Sequence, residues 1–265
     1  MTFAAARLTL LALLVAAPAH ATSQPETAPE NIIVTGRGLA APAGAAAYAS
    51  VTIGRERLAN DASRRLEDVL RDVAGFQQFR RTDSRSANPT SQGATLRSIG
   101  GNASSRALVL LDGVPVADPF ASFIPWSALA PAGLSAVRVT RGGGAGPFGA
   151  GAVAGTIELF SAGPGELPGF AADFAYGNNN ATEVSAQAAA NLGDGFASIA
   201  ANWDRGDGYI LIPANQAGPV DVPAWYDSKN IALRLVVPAG EATELQVGAR
   251  GFTDNRLRGI EGTES

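Results

Sequence analysis

Thr182-Glu-Val-Ser-Ala-Gln-Ala-Ala-Ala-Asn-Leu192 is the stretch on which the fold turns. Its even positions read Thr, Val, Ala, Ala, Ala, Leu, and its odd positions read Glu, Ser, Gln, Ala, Asn. Successive strand side chains point to opposite faces, so a strand here has one apolar and one polar face. Four neighbours repeat the pattern. Phe170–Tyr176 sets Phe170, Ala172, Phe174 and Tyr176 against Asp173, and Phe196–Trp203 sets Ala197, Ile199, Ala201 and Trp203 against Ser198 and Asn202. Ser228–Val237 opposes Ile231, Leu233, Leu235 and Val237 to Asn230 and Arg234, while Thr243–Phe252 opposes Leu245, Val247 and Ala249 to Glu244, Gln246 and Arg250. A soluble sandwich shows two or three such strands. Five in a row, with alternately short and long links, predict the wall of a transmembrane β-barrel around a wet lumen.

The start of the chain points to export. Arg7 precedes the apolar run Leu8–Ala17, and Pro18-Ala19-His20-Ala21 supplies small residues at the −3 and −1 positions of a cleavage site. This reads as a secretory signal peptide over residues 1–21, with an apolar run too short to cross a bilayer. Cleavage after Ala21 removes the sole histidine, His20, and the sole methionine, Met1; there is no cysteine. The mature chain then has no histidine, cysteine or methionine with which to build the usual zinc or haem sites, a thiol nucleophile or a histidine-based triad. No metal, cofactor or catalytic residue is expected, and the chain is read as not an enzyme. Lys229 is the only lysine, which disfavours Schiff-base chemistry and a P-loop, and a net charge of −4 argues against nucleic acid as a partner. No later stretch approaches 18 apolar residues, so a membrane crossing has to be made by strands.

Between signal and strands lie two further regions. Residues 22–47 form a Pro- and Gly-punctuated segment holding the β-prone island Glu30-Asn31-Ile32-Ile33-Val34-Thr35. The island either adds as a strand to another protein's sheet or is a loose first strand of the next domain. Residues 48–161 read as an α+β domain. Ser50–Ile53 is a short strand, and Ser63 caps a helix whose Leu66, Val69, Leu70 and Val73 fall at i, i+3, i+4 and i+7 before Gly75 ends it. Ala107–Leu111 and Val114–Val116 flank Asp112-Gly113, a tight-hairpin signal. Ser135–Thr140 and Thr156–Phe160 are strands separated by the glycine-rich 141–155. That run satisfies G-x-G-x-x-G at 144–149, but Pro147 and the surrounding glycines oppose the helix a dinucleotide site needs.

Several of these motifs together resemble the N-terminal part of the TonB-dependent outer-membrane receptors. Residues 30–35 resemble the family's TonB box, and Leu66-Glu-Asp-Val-Leu-Arg-Asp-Val-Ala-Gly-Phe76 resembles its plug helix, with Ala74 where proline is usual. Thr95-Leu-Arg97-Ser-Ile-Gly100, followed by Leu108-Val-Leu-Leu-Asp112-Gly113-Val-Pro, resembles the plug core, with Ser98 in place of a common glycine. Val137-Arg-Val-Thr-Arg141-Gly142 and Phe148-Gly-Ala-Gly-Ala-Val-Ala-Gly155-Thr-Ile157 resemble its closing strands.

The resemblance implies an α+β plug followed by an incomplete antiparallel transmembrane β-barrel over 166–265, about five of roughly 22 strands. On that count the chain is expected to be a truncated fragment. The implied function is active uptake of a scarce nutrient, such as a ferric siderophore or cobalamin, across the outer membrane of a Gram-negative cell. TonB binds residues 30–35, lipid surrounds the strands, and the substrate is a small molecule or metal chelate. The implied plug apex is 80–85, 101–104 and 117–120, with Arg80, Arg81, Asp83, Arg85, Asn102, Asp118 and Phe120 as ligand contacts. Arg80, Arg81 and Arg85 either hold an anionic ligand or are solvated loop charges. Arg97 and Arg141 resemble plug arginines that bind glutamates of later strands. Trp203, Tyr209, Trp225 and Tyr226 fall where an outer aromatic girdle belongs. A transducer variant needs a signalling domain for which 22–29 is too short. A secreted β-rich adhesin without transport activity predicts a fixed repeat, and none is present; a secreted hydrolase lacks its histidine.

Overall fold

The structure is a computed structural model that describes residues 49–264, apart from 81, 87, 89, 99, 101, 143–149 and 241–242. The proposed signal peptide and residues 30–35 lie outside the described residues.

Beside a two-stranded ribbon of β2 (Gln77–Gln78) and β3 (Ala94–Thr95), the first sheet is built from β1 (Ala49–Gly54), β4 (Ala107–Leu111), β5 (Val114–Pro115), β6 (Leu134–Arg141) and β7 (Gly155–Ser161), in the order β1-β6-β7-β4-β5. Only β4 and β7 run parallel; the other pairs are antiparallel. The hairpin signal is realised as read. Asp112 (φ 48°) and Gly113 (φ 86°) both sit in the left-handed region, as a two-residue turn of matching twist requires. The Asp112 carboxylate then accepts the Ser161 backbone N–H at 2.9 Å, which ties the turn to the end of β7.

Two short helices cover this sheet, α1 (Arg55–Ala59) and α2 (Leu66–Leu70). The predicted stripe is the core: Leu66, Val69 and Leu70 are 0% exposed and Val73 is 2%. They pack with Val109, Val137, Val139 and Ile157 of the sheet and with Trp126, whose ring meets Phe76 edge-on at 6.3 Å. Ser63 is not the cap of α2. Arg64 takes φ 55°, so the chain turns before the helix, and the extended Arg65 occupies the N-cap position. The Ser63 hydroxyl instead accepts the Arg65 N–H at 3.2 Å and donates to Asp61. The one-turn α1 went unread because five residues with one buried side chain, Leu58, carry no periodicity.

The second sheet is a meander of β8 (Phe170–Tyr176), β9 (Thr182–Leu192), β10 (Gly195–Gly206), β11 (Tyr226–Pro238) and β12 (Glu244–Arg256). Each strand is antiparallel to the next, and the sheet is open. β8 and β9 have the predicted bounds; β10, β11 and β12 run two to four residues further at the end that carries links 177–181 and 207–225. Those extensions hold Asp204, Arg205, Asp227, Asp254 and Asn255, where apolar–polar alternation stops and periodicity has nothing to detect. One face presents exposed Phe170, Phe174, Ile199, Leu233, Leu245 and Val247; the other faces the first sheet. We call the end with the two longer links the long-link end.

A domain with this core should hold together by itself. Residues 43–161 expressed alone are expected to be soluble, with slowly exchanging amides in β4, β6 and β7. A wholly insoluble product without protected amides would show that the core depends on the second sheet.

Candidate functional site

The three loops anticipated as a ligand-facing apex come together. The Phe79 N–H donates to Gly93 O at 3.0 Å, so 79 and 93 close the base of the first loop. Gly93 lies so close to the second that an added Cβ would sit 2.2 Å from Asn102 O and 2.6 Å from Ala103 O. The second loop is stitched to the third by Ser104 Oγ donating to Ala121 O at 2.9 Å and by Ser105 N–H donating to Ser122 O at 2.7 Å. The site is thus one patch made from three separated stretches.

Within that patch the side chains divide. Arg80 is exposed, with its guanidinium over the Phe79 ring at 5.4 Å, and Asn102 is exposed. Phe120 is 96% exposed, far more than an apolar ring keeps without a partner surface. Asp118 is committed to the loop itself: its Oδ1 accepts the N–H groups of Phe120 and Ala121 at 2.9 and 2.7 Å. Asp83 likewise caps a turn, accepting the Arg85 and Ser86 N–H groups at 2.9 and 3.2 Å, and lies 3.4 Å from Arg65. Arg81 lies outside the described residues.

Arg85 has a different partner from the one foreseen. It points across to the second sheet, pairing with Glu183 of β9, donating to Tyr226 Oη at 3.3 Å and stacking over that ring at 5.5 Å. Burial works against its charge, but Tyr226, Asp83 and Glu183 outweigh that and hold the guanidinium above its ordinary pKa. Next to it, the fully buried Arg256 of β12 donates to Ser84 O and grips Asp254 through two nitrogens. Asp254 in turn accepts from Ser228 and from Ser127, and Asn230 donates to Ser127 O at 2.9 Å. A polar seam therefore joins the first domain to β9, β11 and β12 at the long-link end. Here the space between the two is about 50 Å³, against about 460 Å³ around Val116, Ala200, Ala232 and Arg234 nearer the opposite end.

Arg97 and Arg141 make a separate cluster. Arg97 takes φ 63°, its guanidinium lies against Gly142, and Arg141 Nη1 donates to Ala74 O at 3.2 Å. Arg141 Nε is buried without a hydrogen-bond partner among the described residues. The glutamates foreseen for Arg97 and Arg141 belong to later strands; toward β8–β12 the charged side chains that bridge the two parts include Arg85 and Arg256. Arg256 was missed because it lies where strand alternation has already ended, whereas Glu183 was read only as part of a polar strand face and Tyr226 as a girdle residue, and nothing local marks either as a partner of Arg85.

An α+β domain seated on a two-faced antiparallel meander, its loops gathered at the long-link end, is the arrangement of a plug domain followed by the first strands of a larger sheet. Residues 43–156 match the family model of the TonB-dependent receptor plug domain. The fold of the described chain is that of TonB-dependent receptors. The siderophore receptor PirA from Acinetobacter baumannii superposes with a TM-score of 0.59 at 14% identity, over 79% of this chain and 32% of that one. The copper transporter OprC gives 0.59 at 20% identity, over 78% and 31%, and the ferric citrate transporter FecA gives 0.58 at 16%, over 78% and 31%. No curated protein sequence matches the chain. The chain spans about a third of the length of these receptors.

Proposed function

We propose that this chain is the N-terminal part of a TonB-dependent receptor in the outer membrane of a Gram-negative cell, serving active uptake of a scarce nutrient. The observation that carries this reading is the convergence of the three plug loops, with exposed Arg80, Asn102 and Phe120, at the long-link end of an amphipathic sheet. With that end outward, the loops meet an external ligand and the exposed row of Phe170, Phe174, Leu233 and Leu245 meets lipid. Residues 1–21 serve export, and 30–35 pair with TonB as an added strand. PirA, OprC and FecA are named for a siderophore, copper and ferric citrate, and this favours a metal chelate such as a ferric siderophore over cobalamin as the substrate. The positive charge of Arg80 suits an anionic chelate.

The test is uptake against binding. Ile33→Pro removes a ladder donor from an extended segment. In the complete polypeptide it is expected to abolish energised uptake while surface binding of the chelate stays at the level of the unaltered protein. Uptake at the unaltered rate would remove residues 30–35 from the mechanism.

A further inference from the structure

Glu67, the second residue of α2, is 0% exposed, and its two oxygens are differently placed. Oε1 accepts the Ser84 N–H at 3.3 Å, whereas Oε2 is buried with no hydrogen-bond partner among the described residues. The Ser84 carbonyl accepts from Arg256 of β12, and the next residue, Arg85, reaches Glu183 and Tyr226. Ser84 is thus held on both sides, by its N–H to the plug helix and by its C=O to the strand ends, in the tight part of the plug–sheet space. The charged groups that act on Glu67 are Arg65 at the N-cap of α2, Asp68 of α2 and Asp204 of β10, and around the Ser84 segment it holds stand Asp83 and Arg85 of the loop, Glu183 and Tyr226 of β9 and β11, and Asp254 and Arg256 of β12. Carboxylates outnumber arginines in that set, so an added negative charge is poorly compensated.

We propose that Glu67 is a positioning residue that clamps segment 82–86 of the plug against the strand ends while it is neutral and releases the segment when it ionises. The inference rests on the receptor reading above, because 82–86 continues directly from the exposed Arg80 of the ligand-facing patch. Burial pushes the Glu67 carboxyl up, with Ser84 and Arg65 pulling the other way, and the net displacement is upward. The unfolded chain gives up this proton near the ordinary value of 4.5, before the folded one does. The clamp is therefore complete below that value and is lost as pH rises through the folded one.

Hydrogen exchange of the complete polypeptide in outer-membrane vesicles reads this directly, as protection factors over a pH series. Glu67→Ala should lower protection of 82–86 by about ten-fold or more while β4 and β7 stay protected. Glu67→Gln keeps an oxygen for Ser84 N–H and cannot ionise. It should retain the protection and abolish the loss of protection that the unaltered protein shows with rising pH. Three results would overturn the proposal: Glu67→Ala leaving 82–86 protected, protection falling equally across the whole plug, or the Gln variant keeping the pH dependence. Because no ligand enters the measurement, absence of uptake would sink the receptor reading alone, and an unprotected 82–86 in the unaltered protein would sink the clamp alone.

Discussion

Gly93→Ala is expected to disable the loop patch and most of the plug's stability with it. The added Cβ would lie 2.2 Å from Asn102 O, 2.6 Å from Ala103 O and 2.7 Å from the Ser104 carbonyl carbon. All three are backbone atoms, so no rotamer change relieves the contact. Those atoms are held in turn, since Ser104 and Ser105 are bonded to the third loop at Ala121 and Ser122. Overpacking a rigid site costs about 1–3 kcal/mol, and here the upper end or more is expected because backbone must move. For a domain near 100 residues, about 3 kcal/mol lowers the melting temperature by roughly 12–24 °C. Gly54→Ala is the control: the site has open space within 4 Å and an ordinary φ of −82°, so it should stay within about 0.5 kcal/mol. Thermal unfolding of residues 43–161 carrying each change separates the two. Equal melting of both variants would show that the three loops are not packed as described.

The second large effect concerns the open sheet. Expressed by themselves, these 265 residues are expected to aggregate or be degraded in the periplasm instead of entering the membrane as a stable unit. Phe170–Tyr176 and Glu244–Arg256 each have one neighbour in the sheet, and their other edges carry unpaired backbone groups. In hydrocarbon each such group costs several kcal/mol, and in water a long flat edge recruits other strands. The exposed rows on the same strands, Phe170, Phe174 and Tyr176 on one and Leu245 and Val247 on the other, add apolar surface to those edges. Semi-native electrophoresis gives the answer. A monomeric, heat-modifiable band that survives detergent would show that the five strands close or pair in some other way.

How much was legible in the sequence depended on the range of the signal. Alternation in Thr182–Leu192, the i, i+3, i+4, i+7 stripe of α2 and the Asp112-Gly113 turn are local, and the structure contains each of them. So is the order of motifs along the chain, which was enough to indicate a plug followed by strands. Local periodicity also has a definite edge. It stopped at Trp203 and Phe252, where the strands continue to Gly206 and Arg256 with polar residues on both faces. It took Ser63 for a cap because serine before an apolar stripe is the usual sign, and could not register that Arg64 would turn the chain first. Glu67 lies only about 60° around the helix from Leu70, on the border of the buried stripe, and a border position reads equally well as solvated.

What the sequence by itself determined is therefore the existence, face and class of the longer elements, because these depend on residues within a few positions of one another. Tertiary structure alone decided which loops meet, and which plug residues face the strands. The partners there are far apart in the chain: Arg85 with Glu183 and Tyr226, Ser84 with Arg256, Gly93 with Asn102 and Ala103. The arginine pairings were settled by burial of charge, and the Gly93 approach by the lack of a Cβ. An arginine in the tight part of the seam needs a carboxylate or carbonyl within reach, and only the assembled fold says which ones are.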